Sequence, residues 1–134
     1  MKCWKESLII GVPQIDTQHR KLVETIDLLM QACMQGKGQS EIETTLNFTL
    51  KYTLDHFRDE ESLQLKYAYP GYKEHKKIHE DFTKDVIVLA EEFKKSGPSV
   101  ALTAKINQSL LNWVINHICT EDKKVGEHIQ KVSQ

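Results

Sequence analysis

The sequence predicts an all-α protein, an antiparallel up-down-up-down four-helix bundle with an irregular N-terminal arm and a short C-terminal helix. Three observations predict it. Segments of similar length carry apolar residues at three- and four-residue spacing, breaks containing Gly or Pro keep the connections short, and no stretch alternates with the period of a strand. With 134 residues, 40% apolar and 28% charged, the chain suits a single domain over residues 1–134 that buries one continuous core.

Residues 1–15 read as the arm, with Trp4 and Leu8-Ile9-Ile10 expected to fold it back onto the bundle. Asp16 is the expected N-cap of a first helix over about residues 17–36, whose stripe His19, Leu22, Val23, Ile26, Met30 and Cys33 runs to the break Gly36-Lys37-Gly38. Ser40-Glu41-Ile42-Glu43 has the form of a capping box for a second helix over about residues 41–67. Ile42, Leu46, Thr49, Thr53, His56, Glu60 and Leu63 line one face of it. Pro70 suits the first turn of a third helix, about 70–96, with the stripe His75, Ile78, His79, Phe82, Val86, Leu89, Ala90 and Phe93 ending at Ser96-Gly97. After Pro98 and a Ser99 cap, Leu102, Ile106, Leu110, Trp113 and His117 mark a fourth helix over about 99–119, followed by a short C-terminal segment over 120–131.

The formal net charge of -1, with acids and bases interspersed, argues against nucleic acid or a membrane surface as partner. No apolar run has the length of a signal-peptide core or a membrane span, so the expected compartment is the cytoplasm. Cys3, Cys33 and Cys119 are odd in number and far apart, and read as reduced thiols, with Cys33 in the core.

Five of the six histidines, His19, His56, His75, His79 and His117, fall on the stripes that the apolar residues mark as buried. Burying so many imidazoles without partners is costly, and a metal centre satisfies them together. Their heights agree with this. His19 starts the first helix, His56 is late in the second, His75 and His79 are early in the third, and His117 ends the fourth, so alternating helix directions bring all of them to one end. His56 with Glu60 and His75 with His79 are pairs one helical turn apart, each able to point at one centre. Imidazole and carboxylate without thiolate suit iron or manganese, with copper and zinc also chemically admissible, and the number of imidazoles implies two ions.

The string Trp4, Gly11, Ile15-Asp16, Gln18-His19, His56-Phe57-Arg58-Asp59-Glu60-Glu61, Tyr69-Pro70, His75-x-x-x-His79 and His117-x-x-x-x-Asp122-Lys123-Lys124 resembles the hemerythrin family in its bacterial form, over nearly the whole chain. The resemblance implies two non-haem iron ions with an oxo or hydroxo bridge. His75, His79 and His117 would ligate one iron and His19 and His56 the other, with Glu60 and Asp122 bridging. It further implies reversible O2 binding, for storage, delivery or sensing, at the iron with fewer histidines. Many relatives carry an apolar residue, often Met, where this chain has Gln64.

Reversibility requires a dry apolar pocket at the open position, for which Leu22, Phe57, Ile115 and Ile118 are the candidates from their closeness to ligands in sequence. Glu61 is expected to point about 100° away from Glu60 and contribute only charge, and His128 to be exposed. Delivery or sensing would require an unidentified protein partner. The competing reading is a di-iron enzyme, an oxidase, peroxidase or nitric oxide reductase, or a protein handling iron or nitric oxide. The excess of imidazole over carboxylate favours an O2 binder that is not an enzyme. One residue sets helix geometry against the resemblance. A regular helix places Glu121 one turn beyond His117, whereas the family pattern selects Asp122, about 140° from that face. For Asp122 to bridge, the helix must widen a turn or end near Cys119 and Thr120, with Thr120 capping a terminal helix.

Overall fold

The computed structural model describes residues 5–133, so the expected contact of Trp4 lies outside the described residues, as does Cys3. A 3-10 turn at Glu6–Leu8 precedes the long helices α1 (Pro13–Met34), α2 (Gln39–Lys66) and α3 (Tyr72–Ser96). The rest of the described chain is one uninterrupted helical rod. It comprises α4 (Val100–Ile106), a π-helical turn Asn107–Leu111, α5 (Asn112–His117), a second π turn Ile118–Asp122, and α6 (Lys123–Val132). Among the described residues no helix is long and apolar enough to cross a membrane.

The helix starts differ from expectation for local reasons. Pro13 opens α1, because its fixed φ is already helical and its missing N–H is not needed in the first turn. Asp16 therefore sits inside α1 and binds the arm instead, accepting hydrogen bonds from the amides of Ile10 (2.7 Å) and Gly11 (3.2 Å). Extended Gly38 is the N-cap of α2, which leaves Ser40 helical and unable to cap. Pro70 lies in the turn before α3, which starts after Gly71 at Tyr72. Ser99 does cap α4, its hydroxyl accepting the Leu102 amide at 3.0 Å. Left-handed glycines, Gly36 (φ 68°) and Gly97 (φ 71°), follow α1 and α3.

α1 packs on α2 and α4, and α2 packs on α3. Apolar side chains fill the end of the bundle away from the histidines: Leu29 and Ile26 from α1, Ile42 and Leu46 from α2, Phe93 and Leu89 from α3, Leu102 and Ile106 from α4. Towards the other end the buried face of α2 turns polar. Thr49 and Thr53 return their hydroxyl hydrogens to the carbonyls of Thr45 (2.8 Å) and Thr49 (2.7 Å), so no donor is stranded before the histidine layer.

Leu8 and Ile10 of the arm are buried while Ile9 faces outward. The arm lies directly on α6. A Cβ at Gly126 would stand 2.2 Å from the Ile10 carbonyl oxygen, so only glycine allows this approach. Gly126→Ala must therefore displace main chain, and thermal unfolding should show a loss of about 1–3 kcal/mol relative to wild type.

Candidate metal centre

Among the described residues two groups of donors converge at the end of the bundle. Glu60, His75, His79, His117 and Asp122 form one, and His19, His56, Glu60 and Asp122 the other, with the donor atoms of each group within 4.8 Å of one another. All seven residues are buried. Their meeting requires consecutive helices to run in opposite directions, since His19 is early in α1 and His56 late in α2, while His75 is early in α3 and His117 ends α5.

The shared carboxylates span the two histidine groups. Glu60 Oε1 lies 2.6 Å from His75 Nε2, and its Oε2 lies 3.2 Å from His56 Nε2 and 3.4 Å from His19 Nε2. Asp122 does the same. Its Oδ1 is 3.1 Å from both His75 and His117 Nε2, and its Oδ2 is 3.0 Å from His19 Nε2. Each carboxylate thus turns one oxygen to the three-histidine side and the other to the two-histidine side.

The residues fit a bound cation. His117 Nε2 stands 3.1 Å from the Nε2 atoms of both His75 and His79. Three imidazole nitrogens aimed at one another cannot all be satisfied by hydrogen bonds, whereas three lone pairs aimed at a cation can. Buried His19 Nε2, Glu60 Oε2 and Asp122 Oδ1 also lack aligned hydrogen-bond partners.

Two outer contacts set the tautomers. Gln18 Oε1 lies 2.8 Å from His56 Nδ1, and Glu61 Oε2 lies 2.9 Å from His79 Nδ1. Each oxygen accepts the Nδ1 hydrogen and leaves the Nε2 lone pair facing the centre. The expectation for Glu61 is corrected: its direction on α2, away from Glu60, aims it at α3, where it meets the imidazole. Trp113 stacks on His117 with centroids 4.5 Å apart and on Phe82 at 3.7 Å, and Phe57 stacks on His79 at 3.8 Å. These planes hold the rings upright. Phe57 lies farther from His56, at 5.9 Å. Leu22 and Ile118 are fully buried, and Ile115 is partly buried against the core.

The π turn at Ile118–Asp122 puts Asp122, and not Glu121, among the donors. A π turn closes over five residues, so it brings Asp122 beneath His117. Asp122 is 1% exposed, whereas Glu121 points outward with its carboxylate 3.7 Å from Lys124 Nζ. The helix does not end at Thr120, whose hydroxyl donates to the Asn116 carbonyl at 2.7 Å instead of capping. His128 is not fully exposed either; its Nε2 is 2.7 Å from the Tyr67 carbonyl and donates to it.

Burial is the largest influence on His19 and on His75 and lowers both pKa values, but the adjacent Asp122 and Glu60 together outweigh it and hold each at about 9. His79 is lowered, because burial exceeds the help from Glu61. Burial also opposes ionisation of Glu60 and Asp122. The surrounding imidazoles overcome it and keep Glu60 well below the usual carboxylate range and Asp122 below it too. For His19 and His75, raised from 6.5 to about 9, the proton stabilises the metal-free fold fully below 6.5 and that stabilisation is lost as pH rises through 9. A metal must displace these protons, so loading near pH ~7.5 should release about two more protons per chain than loading above pH ~10, where these imidazoles are already neutral and only metal-bound water gives up protons. Calorimetry in buffers of different ionisation enthalpy measures the count.

A helical bundle whose interior presents overlapping groups of imidazole and carboxylate donors is a metal-binding bundle of the histidine–carboxylate class. The family model of the hemerythrin HHE cation binding domain matches residues 10–129, and the chain belongs to the hemerythrin family. It is 36% identical over 119 residues to a bacteriohemerythrin of Pseudomonas paraeruginosa, covering 89% of this chain and 75% of that protein. A bacteriohemerythrin of Stenotrophomonas maltophilia is 30% identical, with 95% and 80% covered, and a myohemerythrin of Riftia pachyptila 27%, with 86% and 82% covered.

Proposed function

We propose that this chain binds O2 reversibly at two non-haem irons joined by an oxo or hydroxo bridge, and that it is a binder and not an enzyme. The observation that carries the reading is the unequal division of histidines about two shared carboxylates, three on one side and two on the other. In this reading His75, His79 and His117 hold one iron, His19 and His56 the other, and Glu60 and Asp122 join them. Iron held there would supply the electrons by which O2 is bound and released. With equal shares of the carboxylates, the two-histidine side would offer a bound metal one ligand fewer than the three-histidine side and would leave room for O2 there.

The chain's own residues prepare that side. Gln18 orients His56, and the burial of Leu22 and Ile118 supports an apolar wall that keeps water and proton donors out, whereas Phe57 stacks on His79 of the three-histidine side. Delivery or sensing of the captured O2 would require a protein partner, whereas storage would not.

The test is anaerobic reduction of the iron-loaded protein, admission of air, and removal of the air while absorption is recorded. A charge-transfer band that comes and goes with O2 is the expected result. A band that decays irreversibly, with O2 consumed in repeated turnovers under reductant, would make the protein an oxidase.

A further inference from the structure

Gln64 is a residue that the ligand set does not use. It lies one helical turn beyond Glu60 on α2 and is 0% exposed. Its main-chain carbonyl accepts the Tyr69 amide at 2.8 Å across the left-handed Ala68 (φ 52°), which closes the end of α2 and fixes where the side chain begins. The carboxamide makes one polar contact, from Nε2 to Glu60 Oε1 at 3.4 Å, and its own Oε1 is buried without a hydrogen-bond partner. The reverse amide orientation would set two oxygens against each other, so electrostatics selects the one with nitrogen towards Glu60. A buried carboxamide with a stranded oxygen costs stability that an unbranched apolar side chain of equal length would not.

We propose that Gln64 is a positioning residue that sets the electron affinity of the metal pair through Glu60. Oε1 of Glu60 is the oxygen turned to the three-histidine side, where it also meets His75 at 2.6 Å. A donor on that oxygen draws charge away from whatever metal the carboxylate serves. Reduced metal withdraws less charge from its carboxylate than oxidised metal, so the oxygen is more negative and the Gln64 hydrogen bond stronger in the reduced state. Gln64 therefore favours the reduced pair and opposes its loss of electrons to solvent oxidants. The proposal rests on the iron reading above.

The experiment is a potentiometric titration of iron-loaded wild type, Gln64→Met and Gln64→Leu under argon. A small-molecule reductant supplies one electron per iron through mediators, and iron content and unfolding temperature are measured alongside. Wild type should hold two irons; failure there sinks the iron reading itself. Both variants should keep two irons and unfold at or above the wild-type temperature, while their potentials fall by the equivalent of up to about five-fold in the redox equilibrium constant, the ceiling that one whole hydrogen bond sets on its difference between the two states. Unchanged potentials with both irons present, or potentials that move only in step with lost iron, would overturn the role of Gln64 and leave the iron reading intact.

Discussion

Asp122→Ala should leave a protein that folds but retains iron poorly and shows no oxygenated spectrum, whereas Glu121→Ala should behave as wild type. The two acids are neighbours of like chemistry, so the contrast isolates geometry. Asp122 places Oδ1 within 3.1 Å of His75 and His117 and Oδ2 within 3.0 Å of His19. Its removal deletes a donor from both groups at once. Losing an outer partner of a ligand already costs about 10–100-fold in metal affinity, so losing a shared carboxylate should cost more than about 100-fold. Glu121 faces Lys124 on the surface, a contact worth well under about 1 kcal/mol. Iron per chain after gel filtration, together with the spectrum in air, decides between them. The opposite pattern would mean that the widened turn does not persist in the loaded protein.

His75→Ala should have the larger effect on stability. His75 Nε2 meets both carboxylates, 2.6 Å from Glu60 and 3.1 Å from Asp122, and it belongs to the three-histidine group. Without it, two buried carboxylates lose a cationic neighbour in the metal-free protein and the three-histidine side loses a ligand in the loaded one. The centre joins α1, α2, α3 and the final helical rod at one end. A tightly held ligand stabilises a fold by about 4 kcal/mol at a thousand times its dissociation constant, so loss of the metal should lower the unfolding midpoint by roughly 10 °C or more. Calorimetry of wild type and variant, each with and without iron, tests this. If the metal-free wild type and the loaded variant unfold together, the loss is that of the metal. Equal midpoints for the loaded wild type and the loaded variant would show that His75 is dispensable.

The helices and their buried faces were legible because α-helical periodicity is a local property. His19, His56, His75, His79 and His117 could be placed on core faces, and their heights along those helices predicted the common end, from spacing alone. Helix starts were less legible. Asp16, Ser40 and Pro70 each match a cap or first-turn preference, yet an alternative a few residues away was already satisfied by Pro13, Gly38 or Gly71. Of the seven convergent donors, periodicity marks five, its spacing from His56 marks Glu60, and only the family resemblance marks Asp122.

What the sequence determined by itself was therefore the bundle, the end at which the histidines meet and the kinds of donor found there. Those depend on contacts within a turn or two and on the period of one helix. What only tertiary structure decided was every relation across helices: Glu61 reaching His79, Gln18 reaching His56, Trp113 lying flat on His117, and Gln64 turning its nitrogen to Glu60. The π turn at Ile118–Asp122 belongs with these, although it is local in the chain. A widened turn is less favourable than a regular one, and here the packed interior offers Asp122 partners on three other helical segments that a regular turn would deny it.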